Sequence, residues 1–323
     1  MKRILFSVFL LIGTAFIFAA EKTPEINVGV LNGPTCIPAA YIMENEKSIN
    51  FESFADPQAL LPKMIKKEID IGFMPLNVAA KVYNSGNKAI ICCAVTGFGN
   101  ICVITTDQKI RTFTELKGKT VYVAGQGATP EYMMRYLLKE NGLTCTTDFN
   151  TADVMLDFSI PTAQLSAQLI SGKIKYAVVP EPFVTIAKMK SSEVRAVLDF
   201  QEEYKALTGS QSVYPLSVMV VRKEFAENNP ELLESFLEAY KKSLEWTLKN
   251  PQKAGSLSEK HSLGLTSAVV TRAIPSSNYT FIPAAQAVSM SEELLEIFLQ
   301  NDPSSIGGKL PEREFYYERK TQQ

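Results

Sequence analysis

The nine residues Lys67-Glu68-Ile69-Asp70-Ile71-Gly72-Phe73-Met74-Pro75 align without gaps to Gly172-Lys173-Ile174-Lys175-Tyr176-Ala177-Val178-Val179-Pro180. Each copy leaves a helical stretch, turns, and runs as an apolar strand to a proline that opens another helix. The copies sit in longer matching units, 60–86 and 164–190, each preceded by a β-like piece ending in proline, 49–57 and 154–161. Upstream, EINVGVLNGPT (25–35) matches KTVYVAGQGAT (119–129): an alternating strand, an amide residue and glycine, then a helical run. Each half therefore reads β-α-β-α-β-α, which predicts an α/β chain of two lobes with mixed, mostly parallel sheets covered on both faces. The alternative is chance likeness between strand-helix units.

What lies between and after the halves predicts how they join. Strand-like 89–107 leads from the first half into the second, and strand-like 212–225 leads out of it. The remainder reads as helix. Leu232, Leu233, Phe236, Leu237, Tyr240, Leu244 and Leu248 share one face over 230–248, and 284–299 forms a second helix begun by Pro283. A helical tail too small for a third domain is expected to pack on the first lobe. The chain then crosses twice, near Ile101–Thr105 and Val213–Val221. The expected lobes are 21–104 plus 216–323, and 105–215, joined by a two-strand hinge that can close around a ligand.

The N-terminus has a separate reading. Lys2 and Arg3 precede an apolar run, Ile4 to Phe18, and then Ala19-Ala20-Glu21. That is the layout of a secretory signal peptide, residues 1–20, cut near Ala20. An uncleaved anchor is the alternative. No cysteine lies near Ala20 to carry a lipid. The formal charge of -1 gives no basic excess for nucleic acid. Five cysteines, an odd number, leave at least one thiol unpaired, and buried free thiols are expected. A single disulfide between Cys36 and Cys92 or Cys93 stays open.

INVGVLNGP, KKEIDIGFMP, LKGKTVYVAGQG, GKIKYAVVPEPF and NNPELLESFLEAYKKSLEW follow one another in order. Together they resemble the substrate-binding proteins of ABC importers with the type II periplasmic-binding fold, in the nitrate/sulfonate/taurine and thiamine-precursor branch. The likeness runs from about Glu25 to Gln300. It implies two Rossmann-like lobes around a cleft. It also implies a monomeric, non-enzymatic periplasmic protein that hands a small solute to an ABC permease and its ATPase, without cofactor or metal.

Helix starts aimed at such a cleft expose N–H groups. Candidate ligand contacts are Asn32, Gly33, Thr35, Asn77, Thr96, Phe98 and Asn100 from the first lobe. Gln126, Gly127, Thr129, Thr162, Gln164 and Glu181 come from the second lobe, and Tyr214 from the second crossing. A nucleotide loop is not expected at 125–130, because no Lys-Ser/Thr follows Gly127. The set holds amides, hydroxyls, two aromatics for stacking and one carboxylate, with no Arg or Lys, which favours a small neutral or singly charged organic molecule. Rival readings are an enzyme on the same fold, similar to chorismate dehydratase or the fungal thiamine-pyrimidine synthase, and a periplasmic solute sensor. His261, the only histidine, stands in a polar stretch and is expected at the surface.

Overall fold

A computed structural model describes residues 26–147, 152–209 and 213–319; the expected signal peptide lies outside the described residues. The chain begins β1 (Ile26–Leu31), α1 (Ala40–Asn45), β2 (Ile49–Phe54), α2 (Pro57–Ile65), β3 (Ile71–Pro75), α3 (Leu76–Ser85), β4 (Ile90–Phe98). It continues β5 (Ile101–Thr105), β6 (Lys119–Val123), α4 (Thr129–Glu140), β7 (Cys145–Thr146), β8 (Val154–Asp157), α5 (Thr162–Ile170), β9 (Tyr176–Pro180), α6 (Phe183–Lys190), β10 (Arg195–Asp199) and α7 (Phe200–Thr208). The return comprises β11 (Pro215–Arg222), α8 (Lys223–Asn228), α9 (Pro230–Lys249), α10 (Pro251–Lys260), α11 (Ser267–Ala273), β12 (Tyr279–Pro283) and α12 (Val288–Asn301).

Two six-stranded sheets result, ordered β12-β4-β11-β3-β1-β2 and β10-β5-β9-β6-β8-β7. In the first, β1 runs parallel to β2 and β3, and β11 is inserted antiparallel between β3 and β4. In the second, β6 runs parallel to β8 and β9, and β5 is inserted antiparallel between β9 and β10. The plan is the same twice, and each inserted strand arrives by a crossing from the other lobe. The sheets part between Phe98 and Ile101, so 101–104 belong with the second lobe. The boundary read from sequence lay a strand too late, because an apolar strand fits either sheet by composition.

Strand burial follows the expectation for sheets covered on both faces: Ile71 to Met74 and Tyr176 to Val179 are buried throughout. Helix α9 starts at Pro230, where a missing N–H costs nothing, and ends before Pro251. Of its expected stripe Leu233, Phe236, Leu237, Tyr240 and Leu244 are buried, with Tyr240 against Phe73 of β3, while Leu232 is half-buried and Leu248, in the last turn, is exposed. The tail departs from the all-helical reading in two places. Tyr279–Pro283 forms edge strand β12, and α12 begins at Val288, after a 3-10 turn over Ala284–Gln286. The tail also reaches the second lobe, where Phe298 packs on Tyr132 of α4 with ring centroids 5.4 Å apart.

All five cysteines are free thiols, and Cys36, Cys92 and Cys93 are buried. Burial pushes the Cys92 thiol up to about 12, so these groups act as small apolar side chains. No described helix is long and apolar enough to cross a membrane.

Candidate functional site

The tips of the parallel strands of the two lobes meet at a seam. Where β3 gives way to α3, Asn77 sends Nδ2 across to the Gly127 carbonyl at 3.0 Å and receives Thr129 Oγ1 on Oδ1 at 3.3 Å. The β6–α4 turn can approach this closely because Gly125 and Gly127 take φ of 68° and 75°, conformations glycine adopts without penalty. The Gly127 N–H is taken by Glu131 Oε2 at 2.7 Å, and Arg135 holds the other oxygen at 2.8 Å. The start of α4 thus satisfies itself and the opposite lobe. Gln126 and the Gly127 backbone remain exposed.

A second meeting point forms where β9 ends. The Glu181 N–H donates to the Asn100 carbonyl at 3.1 Å, tying the β9 tip to the first crossing. Its carboxylate accepts the Thr185 N–H at 3.1 Å, inside the first turn of α6. The other oxygen accepts Ser276 Oγ from the opposite lobe at 2.8 Å. Next to it, Asn100 Nδ2 donates to the Ser277 carbonyl at 2.9 Å, and Asn278 Nδ2 to the Gly99 carbonyl at 2.6 Å. The 276–278 turn was not found by sequence reasoning. Its signal is the polar run Ser276-Ser277-Asn278 interrupting an apolar tail.

The remaining candidates divide between the seam and its supports. Asn32 is exposed at the tip of β1; Gly33 has φ of 108° and donates to the Leu263 carbonyl at 3.3 Å. Thr35 is half-buried, its hydroxyl on the Leu31 carbonyl at 3.0 Å. Beside it, Tyr279 donates to the Pro34 carbonyl at 2.8 Å. Phe98 and Thr162 are half-buried and Gln164 is exposed. Thr96 is buried and shares a 3.1 Å hydrogen bond with Ser217.

Tyr214 differs from its expected role. It is 0% exposed, lies under Gly99, where an added Cβ would come within 2.2 Å of its ring, and meets Tyr204 edge-on. It packs the hinge and, in this conformation, offers no face to a solute. His261 stands apart, half-buried, with Nε2 3.0 Å from Glu44. Among the described residues no group of three or more His, Cys, Asp or Glu is placed to hold a metal ion.

Comparison with solved structures finds the same architecture. An ABC transporter protein from Parabacteroides distasonis matches with a TM-score of 0.77 at 23% identity, over 92% of this chain and 100% of that one. The periplasmic aliphatic sulphonate binding protein SsuA of Escherichia coli matches with a TM-score of 0.73 at 16% identity, over 93% and 94%. The periplasmic nitrate-binding protein NrtA of Synechocystis PCC 6803 matches with a TM-score of 0.64 at 12% identity, over 86% and 82%. These likenesses establish the periplasmic-binding fold. No curated protein sequence matches the chain. The NMT1-like family model matches residues 19–259, most of the chain. The chain belongs to the NMT1-like family.

Proposed function

We propose that this protein is the solute-binding component of an ABC importer. It takes a small organic molecule into the interlobe cleft and delivers it to a membrane permease coupled to an ATPase. One observation carries the reading. Two sheets of matched order exchange one strand each through two crossings, so that their strand tips face each other across a seam lined by turn and helix-start groups. A hinge of two strands is a device for closing lobes on a ligand. Neighbours named for sulphonate and nitrate binding share the fold. Residues 1–20 direct export to the periplasm, and the exported protein works as a monomer without cofactor or metal. The seam residues argue against catalysis: their carboxylates, Glu131 and Glu181, are each engaged within the protein, and the single histidine bonds to Glu44.

The test is to denature the purified protein, identify the released solute by mass spectrometry, and add it back. The radius of gyration from small-angle scattering should fall on addition. Asn32→Ala and Gln126→Ala should each weaken binding about tenfold, the effect of roughly one lost hydrogen bond. Melting of the empty protein should hold, because both side chains are exposed. An unchanged radius with confirmed binding defeats the closure mechanism, and conversion of the solute by the pure protein favours the enzyme reading.

A further inference from the structure

Resting on the solute-binding reading, we propose that the cleft selects a solute with a positively charged, hydrogen-donating nitrogen. Glu181 would be its counter-ion, taking the solute's nitrogen in place of the Ser276 hydroxyl that bonds it in this structure.

The argument starts from a carboxylate in an unusual setting. Glu181 is 6% exposed, yet among the described residues no lysine or arginine forms an ion pair with it. Buried charges are ordinarily paired, because removal from water is costly without a partner. Among the described residues its hydrogen-bond donors are two neutral groups, the Thr185 N–H and the Ser276 hydroxyl, which also lies 3.2 Å from the Ala273 carbonyl. A carboxylate offers about four lone-pair sites, so two remain.

The two donors differ in kind. Thr185 belongs to the same lobe and fixes the carboxylate on the first turn of α6. Ser276 comes from the opposite lobe, and its residue is exposed to solvent although its partner is not. The bond therefore sits at the rim of the seam, where an entering molecule can replace a hydroxyl without disturbing a core.

A second observation points the same way. Asn100 is 8% exposed, and its Oδ1 has no hydrogen-bond partner while Nδ2 is bound to the Ser277 carbonyl. A buried acceptor left open costs free energy that a donor recovers. Asn100 and Glu181 are joined through their backbones, and both side chains meet the same two-residue turn, Ser276-Ser277. Two acceptors with capacity to spare, the carboxylate and the amide oxygen, thus adjoin one short turn. An anion would meet a carboxylate and an amide oxygen with no cationic clamp beside them. Here the chain departs from the chemistry of an oxyanion site, which needs donors.

The experiment uses the full exported protein in three arms. The solute released by denaturation is identified. Ethanolamine, imidazole, putrescine, nitrate and methanesulfonate are screened by thermal shift. The released solute and the strongest probe are then titrated into wild type, Glu181→Gln and Ser276→Ala. The expected result is a solute with a basic nitrogen, with binding weakened about 10- to 100-fold in Glu181→Gln, the range for a lost charged hydrogen bond. Ser276→Ala should bind more tightly than wild type, because the hydroxyl no longer competes for the carboxylate. It keeps the carboxylate, so it decides the matter even if Glu181→Gln fails to fold. A released solute without a basic nitrogen, stabilisation by the anions alone, or equal affinity in Glu181→Gln overturns the inference and leaves solute binding standing. So does equal or weaker binding in Ser276→Ala. No released solute and no thermal shift with any probe overturns both.

Discussion

The two copies of the repeated turn use one backbone and two chemistries. Lys67 and Gly172 hold the same place, and both are left-handed, with φ of 64° and 76°. Three residues on, Asp70 in the first lobe corresponds to Lys175 in the second. Asp70 is 5% exposed, accepts the Asn27 N–H at 3.0 Å and pairs with Arg222 at 2.6 Å. Lys175 is exposed, and its carbonyl accepts Thr105 Oγ1 at 2.8 Å. Arg222 and Thr105 are each the last residue of the inserted antiparallel strand of their lobe. The fold demands that this strand be fastened to the entry of its parallel neighbour. An ion pair does it in one lobe and a neutral hydroxyl in the other, so the topology sets the place of the fastening and leaves its chemistry free.

The largest expected difference follows from the fastenings. Asp70→Ala leaves Arg222 mostly buried, with Glu224 3.6 Å away as its remaining carboxylate and the Ile69 carbonyl at 3.2 Å as its remaining acceptor. Stranding one partner of a buried pair costs about 3–5 kcal/mol. Thr105→Val removes two neutral hydrogen bonds, the one to the Lys175 carbonyl and the one from the Asp107 N–H, and should cost about 2 kcal/mol. Urea unfolding of the two variants measures both. Equal losses would mean that the buried pair is no stronger than its neutral counterpart, and the comparison would fail.

A smaller effect tests the shared backbone. A side chain in the left-handed region is strained, while glycine is not. Lys67→Gly should therefore raise stability by about 0.5 kcal/mol, after glycine's greater freedom in the unfolded chain is counted. The exposed pair of Lys67 with Glu224 contributes little against this. Gly172→Ala should cost about 1 kcal/mol, although nothing lies within 4 Å of the added Cβ, so the loss is purely conformational. Opposite signs at matched positions sharpen the case for a common turn; the same sign would break it.

The same comparison shows what the sequence can carry. The repeat, both crossings and the stripe of α9 are local patterns, written in runs of apolar spacing and in proline and glycine positions, and each is found in the fold. The seam is not local. Asn77 meets Thr129 across 52 positions and Glu181 meets Ser276 across 95, and no periodicity records such a pairing. Tyr214 shows the limit most clearly. Its place beside the second crossing was legible, but the side of the hinge it fills depends on Gly99, more than a hundred residues earlier. Strand β12 escaped because Tyr279-Thr280-Phe281-Ile282-Pro283 is short and half-buried, in a tail whose neighbours are helical.

The last contrast concerns charge at the opening of the second strand of each lobe. Asp153 precedes β8, and the matched residue before β2 is Ser48. The Asp153 carboxylate holds Lys117 Nζ at 2.8 Å and the Thr144 N–H and hydroxyl at 3.1 and 3.0 Å. The Lys117 contact first, and then the Thr144 donors, draw its pKa down to about 2. Since the folded value lies below the unfolded one, the unfolded chain takes up the proton more readily. The stabilisation is complete above the ordinary aspartate value, about 3.9, and disappears as pH falls toward 2. Asp153→Asn should lower the melting temperature slightly at pH 7, the smallest of these effects because the site is near solvent. The gap to wild type should close between about pH 4 and pH 2. A gap that persists at pH 2 would show that Asp153 acts through its shape and hydrogen bonds rather than its charge. The contrast in charge between Asp153 and Ser48 would then carry no acid sensitivity at this position.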